Sequence, residues 1–320
     1  MKFHKKKMPK EIICLDPSAS TTRMLTARKP DYNSALDTAP EIDLFLPRGE
    51  QGGLRTRGYF KTSLPGKCLI TVVTVVFNGE QFIEKTIQNV LSQTYDNVEY
   101  IVIDGGSTDG TLGIIMKYET AIDYIISDKD NGIYDAMNKG IKLASGDWIN
   151  FMNAGDSFFT ATTLEAIFNK SLDDGDVIYG NVDIRYNGFS RTQSAGSPAK
   201  LWKGMQFSHQ STFISLKYHK RKLYNSLNRI VADMEFFYQA YSEDITFIYK
   251  DVIISSVISG GLSDSNRLET VRASRQVALN SSASPFVSFY YSFIITDTFL
   301  RGMLKKILPA SWVKRIIMSK

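Results

Sequence analysis

Two cysteines, Cys14 and Cys68, are all that the 320 residues contain, too few for a disulfide framework or a cysteine-rich metal site. Both read as ordinary cytosolic thiols. No stretch reaches the roughly 18 uninterrupted apolar residues of a spanning helix. Pro285 to Thr296 comes nearest and ends at Asp297. The lysines near the N-terminus resemble the start of a secretion signal, but Ile12 to Leu15 is too short an apolar region, so no export signal is expected. Nucleotide motifs are missing as well. No Gly-x-Gly-x-x-Gly follows the first strand, and there is neither a Gly-x-x-x-x-Gly-Lys-Ser/Thr loop nor a Gly-x-Ser-x-Gly elbow. These absences remove the dinucleotide-binding, P-loop NTPase and α/β-hydrolase readings.

Acidic charge is scarce at both ends. Met1 to Lys10 carries five lysines and no acid, and Arg301 to Lys320 carries six Lys/Arg and no acid. The net charge is +5, so without these eleven cations residues 11–300 stand at −6. An acidic body does not suit nucleic acid, whereas basic ends suit an anionic membrane surface; solvated tails are the plainer reading. With 43% hydrophobic and 12% aromatic content the chain buries one main core.

Residues 1–66 hold Pro9, Pro17, Pro30, Pro40, Pro47 and Pro65 with little periodicity, which predicts an extended or disordered leader. The pattern then changes abruptly. Leu69 to Phe77 is nearly continuous β-branched sequence, a strand buried on both faces. Strands are also predicted at Tyr100–Ile103, Ile122–Ile126 and Trp148–Met152. Helices marked by Ile83/Ile87/Val90, Leu112/Ile115 and Ile133/Met137/Ile141 alternate with them. That alternation means βαβ units and a parallel sheet. Further on, a hairpin is expected about Asn187-Gly188, a strand over Gln210–Ser215 and a helix after Asp233.

The candidate chemistry sits where strands end. Asp156 closes Asn153-Ala154-Gly155-Asp156 just after the Trp148–Met152 strand, and the crevice outside such ends is where open parallel sheets bind ligands. Alone it would be a turn or cap residue. Polar clusters at Phe77-Asn78-Gly79, Asp104 to Ser107, Asp128 to Asn131 and Asn181 to Asp183 give it company. Such a rim of hard oxygens suits Mg²⁺ or Mn²⁺ sharing its shell with substrate phosphates.

Three runs carry a specific likeness: Val73 to Asn78, Ile101 to Gly110, and Asp130-Asn131-Gly132-Ile133-Tyr134-Asp135-Ala136-Met137-Asn138-Lys139-Gly140. With them, over about residues 68–265, the chain resembles family 2 GT-A glycosyltransferases, in particular the colanic-acid and exopolysaccharide branch. The resemblance implies an α/β GT-A fold, a Rossmann-like, mainly parallel twisted sheet flanked by helices. The resemblance covers the catalytic domain (67–265); the Pro-rich leader (1–66) lies outside it, and the pattern that follows predicts a C-terminal amphipathic helical segment (266–320). The resemblance implies donor contacts from Thr74, Phe77, Asn78, Asp104, Asn131, Asn138 and Asn153. Asp156 would hold a divalent ion, Mn²⁺ or Mg²⁺, and His209 would be a metal ligand or diphosphate contact, with a buried hydrogen-bonded histidine the alternative. Asp233 would be the base that deprotonates the acceptor hydroxyl; the other reading is a helix N-cap. The family's Asp-Asp-Gly-Ser stands here as Asp104-Gly105-Gly106-Ser107, and its Asp-x-Asp-Asp as Asn153-Ala154-Gly155-Asp156, so fewer carboxylates are present.

The function so implied is inverting, metal-dependent transfer of a sugar from a nucleotide-diphosphate donor to a glycan, on a polyprenyl-linked acceptor, at the cytoplasmic face of a membrane. The competing reading is a catalytically silent nucleotide-sugar-binding or scaffold protein. Membrane attachment is expected through Leu300, Met303, Leu304, Ile307 and Leu308 at helical spacing, then Trp312, Val313, Ile316 and Ile317, all flanked by Lys and Arg.

Overall fold

The computed structural model describes residues 12–13, 25–27, 49–64, 66–169, 175–261, 266–281 and 284–307. It comprises two compact units, Met1–Asp173 with Phe213–Arg221, and Asp174–Thr212 with Lys222–Lys320.

In the first unit, β1 (Ile12–Ile13), β2 (Leu25–Ala27) and β4 (Tyr59–Phe60) form a small antiparallel sheet. The main sheet places β3 (Glu50–Gly52) beside β7 (Tyr124–Ser127), then β6 (Val98–Asp104), β5 (Ile70–Val76), β8 (Trp148–Phe151) and β12 (Thr212–Ser215). The β7-β6-β5-β8 core is parallel, with antiparallel β3 and β12 at its sides. Every residue of β5 and β6 is buried, which explains why β5 reads as one unbroken apolar run. Helices α1 (Ile83–Leu91), α2 (Thr111–Met116) and α3 (Ile133–Leu143) are the crossovers. On α3, a Cβ at Gly140 would lie 2.6 Å from Val73 Cγ1, so only glycine lets this helix approach β5 so closely. β9 (Ser157–Phe158), α4 (Thr163–Phe168) and α5 (Leu216–Arg221) complete the unit, with Phe168 edge-on to Phe213 at 4.9 Å.

Residues 49–64, which proline content assigns to the leader, are folded into this unit. Two of their cations are buried counter-ions rather than solvated charges. Arg55 pairs with fully buried Glu99. Burial pushes the Glu99 carboxyl up, but the Arg55 guanidinium and hydrogen bonds from Ser145 and Thr71 outweigh it and hold the group below its usual range. Lys61 Nζ donates to Asp123 Oδ2 at 2.8 Å and to Val98 O at 2.6 Å, both side chains being buried. Burial drives the lysine pKa down and the aspartate pKa up. Removing one partner of such a pair strands a charge in the core, which typically costs about 3–5 kcal/mol. Lys61→Met is therefore expected to lose about that much in urea denaturation, and Lys61→Met with Asp123→Leu to recover most of it.

In the second unit, β10 (Val177–Tyr186) turns at Asn187-Gly188, with Gly188 at φ +84°, into β11 (Phe189–Gln193), as the sequence predicts. β10 pairs in parallel with β13 (Phe247–Ile258), its register shifting between Gly180 and Val182. The strand expected from Gln210 starts at Thr212, because His209–Ser211 is a 3-10 turn. α6 (Ala232–Ser242) packs its Phe237 ring 5.1 Å from Phe207, which in turn meets Tyr179 at 4.6 Å. Two helices end the described chain, α7 (Arg267–Ser281) and α8 (Pro285–Ile307). Among the described residues no helix is long and apolar enough to cross a membrane. The expected stripe residues Leu308, Trp312, Val313, Ile316 and Ile317 lie outside them.

Candidate functional site

In the first unit, the loops after β5, β6, β7 and β8 all leave from strand carboxyl ends. Asn78, at φ 48°, bridges two of them: its amide N–H donates to Ser107 Oγ at 2.7 Å, and its Oδ1 accepts from the Thr108 N–H at 2.8 Å. Below it the Gly79 N–H donates to Thr111 Oγ1, and Glu80 accepts from the Gly110 N–H. Asn is among the few non-glycine residues that tolerate a positive φ, and here its side chain repays the strain by bonding the next loop. Phe77, one residue earlier, is 62% exposed.

Asp104 is fully buried, and its carboxylate accepts from the Ser107 N–H at 3.1 Å, the Ser107 hydroxyl and Ser127 Oγ at 2.6 Å. It shapes the loop that begins at Gly105. A Cβ at Gly105 would fall 2.3 Å from Asp130 Oδ2, so glycine at this position is what admits a third loop's carboxylate. Burial raises the Asp130 pKa, while the Gly132 N–H, donating to Oδ1 at 2.8 Å, works against it. Asn131 is exposed and its N–H donates to Asp135. Asn138 lies buried on α3, next to Lys139, whose ammonium donates to Lys129 O at 2.6 Å. Thr74 sits inside β5, its hydroxyl donating to Met152 O at 2.7 Å and 3.0 Å from the Tyr100 hydroxyl. It thus ties β5 to the chain leaving β8.

Asn153 and Asp156 are half-buried in the turn after β8, which closes through the Asp156 N–H to Asn153 O at 2.9 Å with Gly155 at φ +100°. Thr86 of α1 holds this turn: its hydroxyl donates to Asp156 O at 2.9 Å and accepts from the Gly155 N–H at 3.0 Å. Sequence reasoning missed it. The signal was a threonine in the apolar stripe of Ile83, Ile87 and Val90, where a hydroxyl needs a partner. Thr86→Val keeps the shape but removes both of these hydrogen bonds, so chemical denaturation is expected to show a loss of about 1–3 kcal/mol.

In the second unit, His209 and Asp233 are brought together. Nδ1 of the imidazole lies 3.2 Å from Asp233 Oδ2, with both side chains mostly buried. Asp233 does not cap α6. Val231 holds that position, and Asp233 stands in the first turn with Oδ1 accepting from the Met234 N–H at 2.9 Å. Tyr224, also missed, lies close by, and burial followed by the Asp233 charge pushes its phenol well up. Nearby Asn181 donates to Asp251 at 3.0 Å and accepts from the Tyr249 hydroxyl and the Ala195 N–H.

Residues 71–246, more than half of the chain, match the family model described as Glycosyl transferase family 2. The chain belongs to glycosyl transferase family 2. A PGL/p-HBAD biosynthesis glycosyltransferase of Mycobacterium bovis is 31% identical over 209 residues, covering 61% of this chain and 79% of the relative. Glycosyltransferase GlyG of Streptococcus pneumoniae is 29% identical over 117 residues, covering 35% of this chain and 38% of GlyG. Among solved structures, S. aureus TarS 1-349 in complex with UDP superposes with a TM-score of 0.50 at 18% identity, covering 66% of each chain. The mannosyltransferase PcManGT from Pyrobaculum calidifontis, in complex with GDP-Man and Mn²⁺, gives 0.52 at 16% identity, covering 69% of this chain and 67% of PcManGT. The fold is that of a GT-A enzyme, and this family 2 member is a glycosyltransferase.

Proposed function

We propose that this glycosyltransferase moves a sugar, with inversion, from a nucleotide-diphosphate donor to a hydroxyl of a lipid-linked glycan during polysaccharide synthesis. The observation that carries the reading is the ring of interlocked loops at the carboxyl ends of β5, β6, β7 and β8, which ends on Asp156 in a turn clamped by Thr86. Asn78, Asp104 and Asn153 belong to these loops and are assigned to the donor, Asp104 through the loop it shapes. Exposed Phe77 offers a ring to the donor base.

Among the described residues no group of three or more His, Cys, Asp or Glu side chains is placed to hold a metal. One hard carboxylate on a fixed backbone nevertheless fits Mg²⁺ or Mn²⁺, which complete their shells with phosphate oxygens and water. Asp156 would hold that ion, and when bound it offsets charge on the leaving diphosphate. The structures of TarS with UDP-GlcNAc and PcManGT with GDP-Man and Mn²⁺ support such a donor and such an ion. Asp233 takes the proton from the acceptor hydroxyl, and His209, engaged through Nδ1, holds the carboxylate in place. A metal at His209 would have to use Nε2.

Thermal unfolding measured against a panel of nucleotide sugars, with and without Mn²⁺, tests the reading. A ligand at 100 times its Kd stabilises by about 2.7 kcal/mol, so the matching donor is expected to raise Tm by a few degrees. A panel in which no nucleotide sugar shifts Tm would reject it.

A further inference from the structure

We infer that α8 carries a bilayer-docking face, made of Phe286, Phe289, Phe293, Leu300 and Met303, that lies against an anionic lipid surface. The second unit holds the helix by its other side. Val287 and Tyr291 are buried with Val271 and Ala278 of α7, and Ile294 and Ile295 pack against the same cluster. At about 100° per residue the five named residues fall within an arc of about 100°, roughly opposite Val287 and Tyr291. All five are at least half exposed, Phe289 reaching 75%. Monomeric proteins seldom leave so much contiguous apolar side chain in water unless it meets another phase or partner.

Charge decides which one. Phe286 packs on Trp202, ring centroids 5.5 Å apart, and the exposed Lys203 ammonium sits 5.0 Å over the Trp202 ring and 5.8 Å from that of Tyr290. Exposed Lys200 stands in the same 3-10 turn, Pro198–Lys203. The only acid of α8, Asp297, is bonded by Arg301 at 2.7 Å. From Arg301 onward the sequence has six Lys/Arg and no acid. An apolar stripe with tryptophan and lysine at its edge is the chemistry of a helix lying in the headgroup plane, its aromatic rings at the acyl boundary and its ammonium groups on lipid phosphates. A second copy of this chain would bring like charges together.

The inference extends the proposed lipid-linked acceptor by naming the surface that meets the lipid. Its test needs neither donor nor acceptor, so its failure leaves the transferase reading untouched. The full chain is floated with phosphatidylcholine vesicles and with mixed phosphatidylcholine/phosphatidylglycerol vesicles. Binding is expected with the mixed vesicles and to weaken in high salt. F286S/F289S/F293S is expected to bind at least about tenfold more weakly, and Lys200→Glu with Lys203→Glu to lose the preference for anionic lipid. Since Phe289 and Phe293 are largely exposed, whereas Phe286 and Lys203 touch neighbouring rings, circular dichroism melts should stay within a few degrees of the parent's. F289S/F293S, which leaves the Phe286–Trp202 contact in place, should also bind more weakly. Equal binding of parent and triple variant, or no binding of the parent to anionic vesicles, would overturn the inference. So would a dimer in sedimentation that the triple variant dissolves, because a second copy would then cover the face.

Discussion

Asp156→Ala is expected to lower sugar transfer by about 10³-fold or more while leaving the denaturation midpoint within about 0.5 kcal/mol of the parent's. The carboxylate is half-buried at the end of the β8 turn, and the bonds from the Asp156 N–H to Asn153 O and from Thr86 to Asp156 O and the Gly155 N–H survive in the variant. What the variant loses is the hard oxygen that the proposal gives to a divalent ion. Offsetting charge on a leaving diphosphate is worth several kcal/mol, and each 1.36 kcal/mol of barrier is a factor of ten in rate. Transfer assayed across a Mn²⁺ series separates the cases. Loss of metal stimulation together with activity supports the assignment. Near-parental turnover at saturating metal and donor would make Asp156 an ordinary turn residue.

How much of this was legible depends on whether the signal was local. β5 and β6 announce themselves because strands buried on both faces must be apolar throughout, and the β10–β11 hairpin because Asn-Gly fits a tight turn. The clusters at Asn78, Asp104, Asp130 and Asp156 follow from being polar where such strands stop. Their interlocking does not. Nothing in the sequence tells that Gly105 is there to make room for Asp130, or that Thr86 fastens a turn 69 residues away. Thr74, which the resemblance assigns to the donor, also has a use that its motif does not tell, since its hydroxyl donates to Met152 O just after β8. Residues 49–64 were hidden for a different reason. Nothing near Arg55 and Lys61 in the sequence points to Glu99 and Asp123, which neutralise them in the core. Buried ion pairs have no periodicity, so a short strand fastened by them resembles a linker.

Asp233→Asn is expected to lower transfer about 10²- to 10⁴-fold, the usual cost of losing a general base, with donor affinity nearly unchanged. The substitution is chosen because Asn keeps the shape and an acceptor oxygen for the Met234 N–H, so the first turn of α6 should hold. It removes the ability to accept and keep a proton. The N-cap role that the sequence allowed is excluded by Val231 occupying that position, and the structural use of this side chain includes its contacts with His209 and with the Met234 N–H. That use is separable from catalysis by pH. A base must be ionised to act, so the parent's rate falls as pH drops through the protonation of its carboxylate, whereas the residual activity of Asp233→Asn should lack that acidic limb. His209→Gln serves as the companion. Where His209 only positions the carboxylate, this variant should retain more activity than Asp233→Asn and keep the acidic limb. Calorimetry with the donor completes the argument, since Asp233→Asn binding donor as weakly as it transfers would make the residue structural, and intact binding with the limb gone would make it the base.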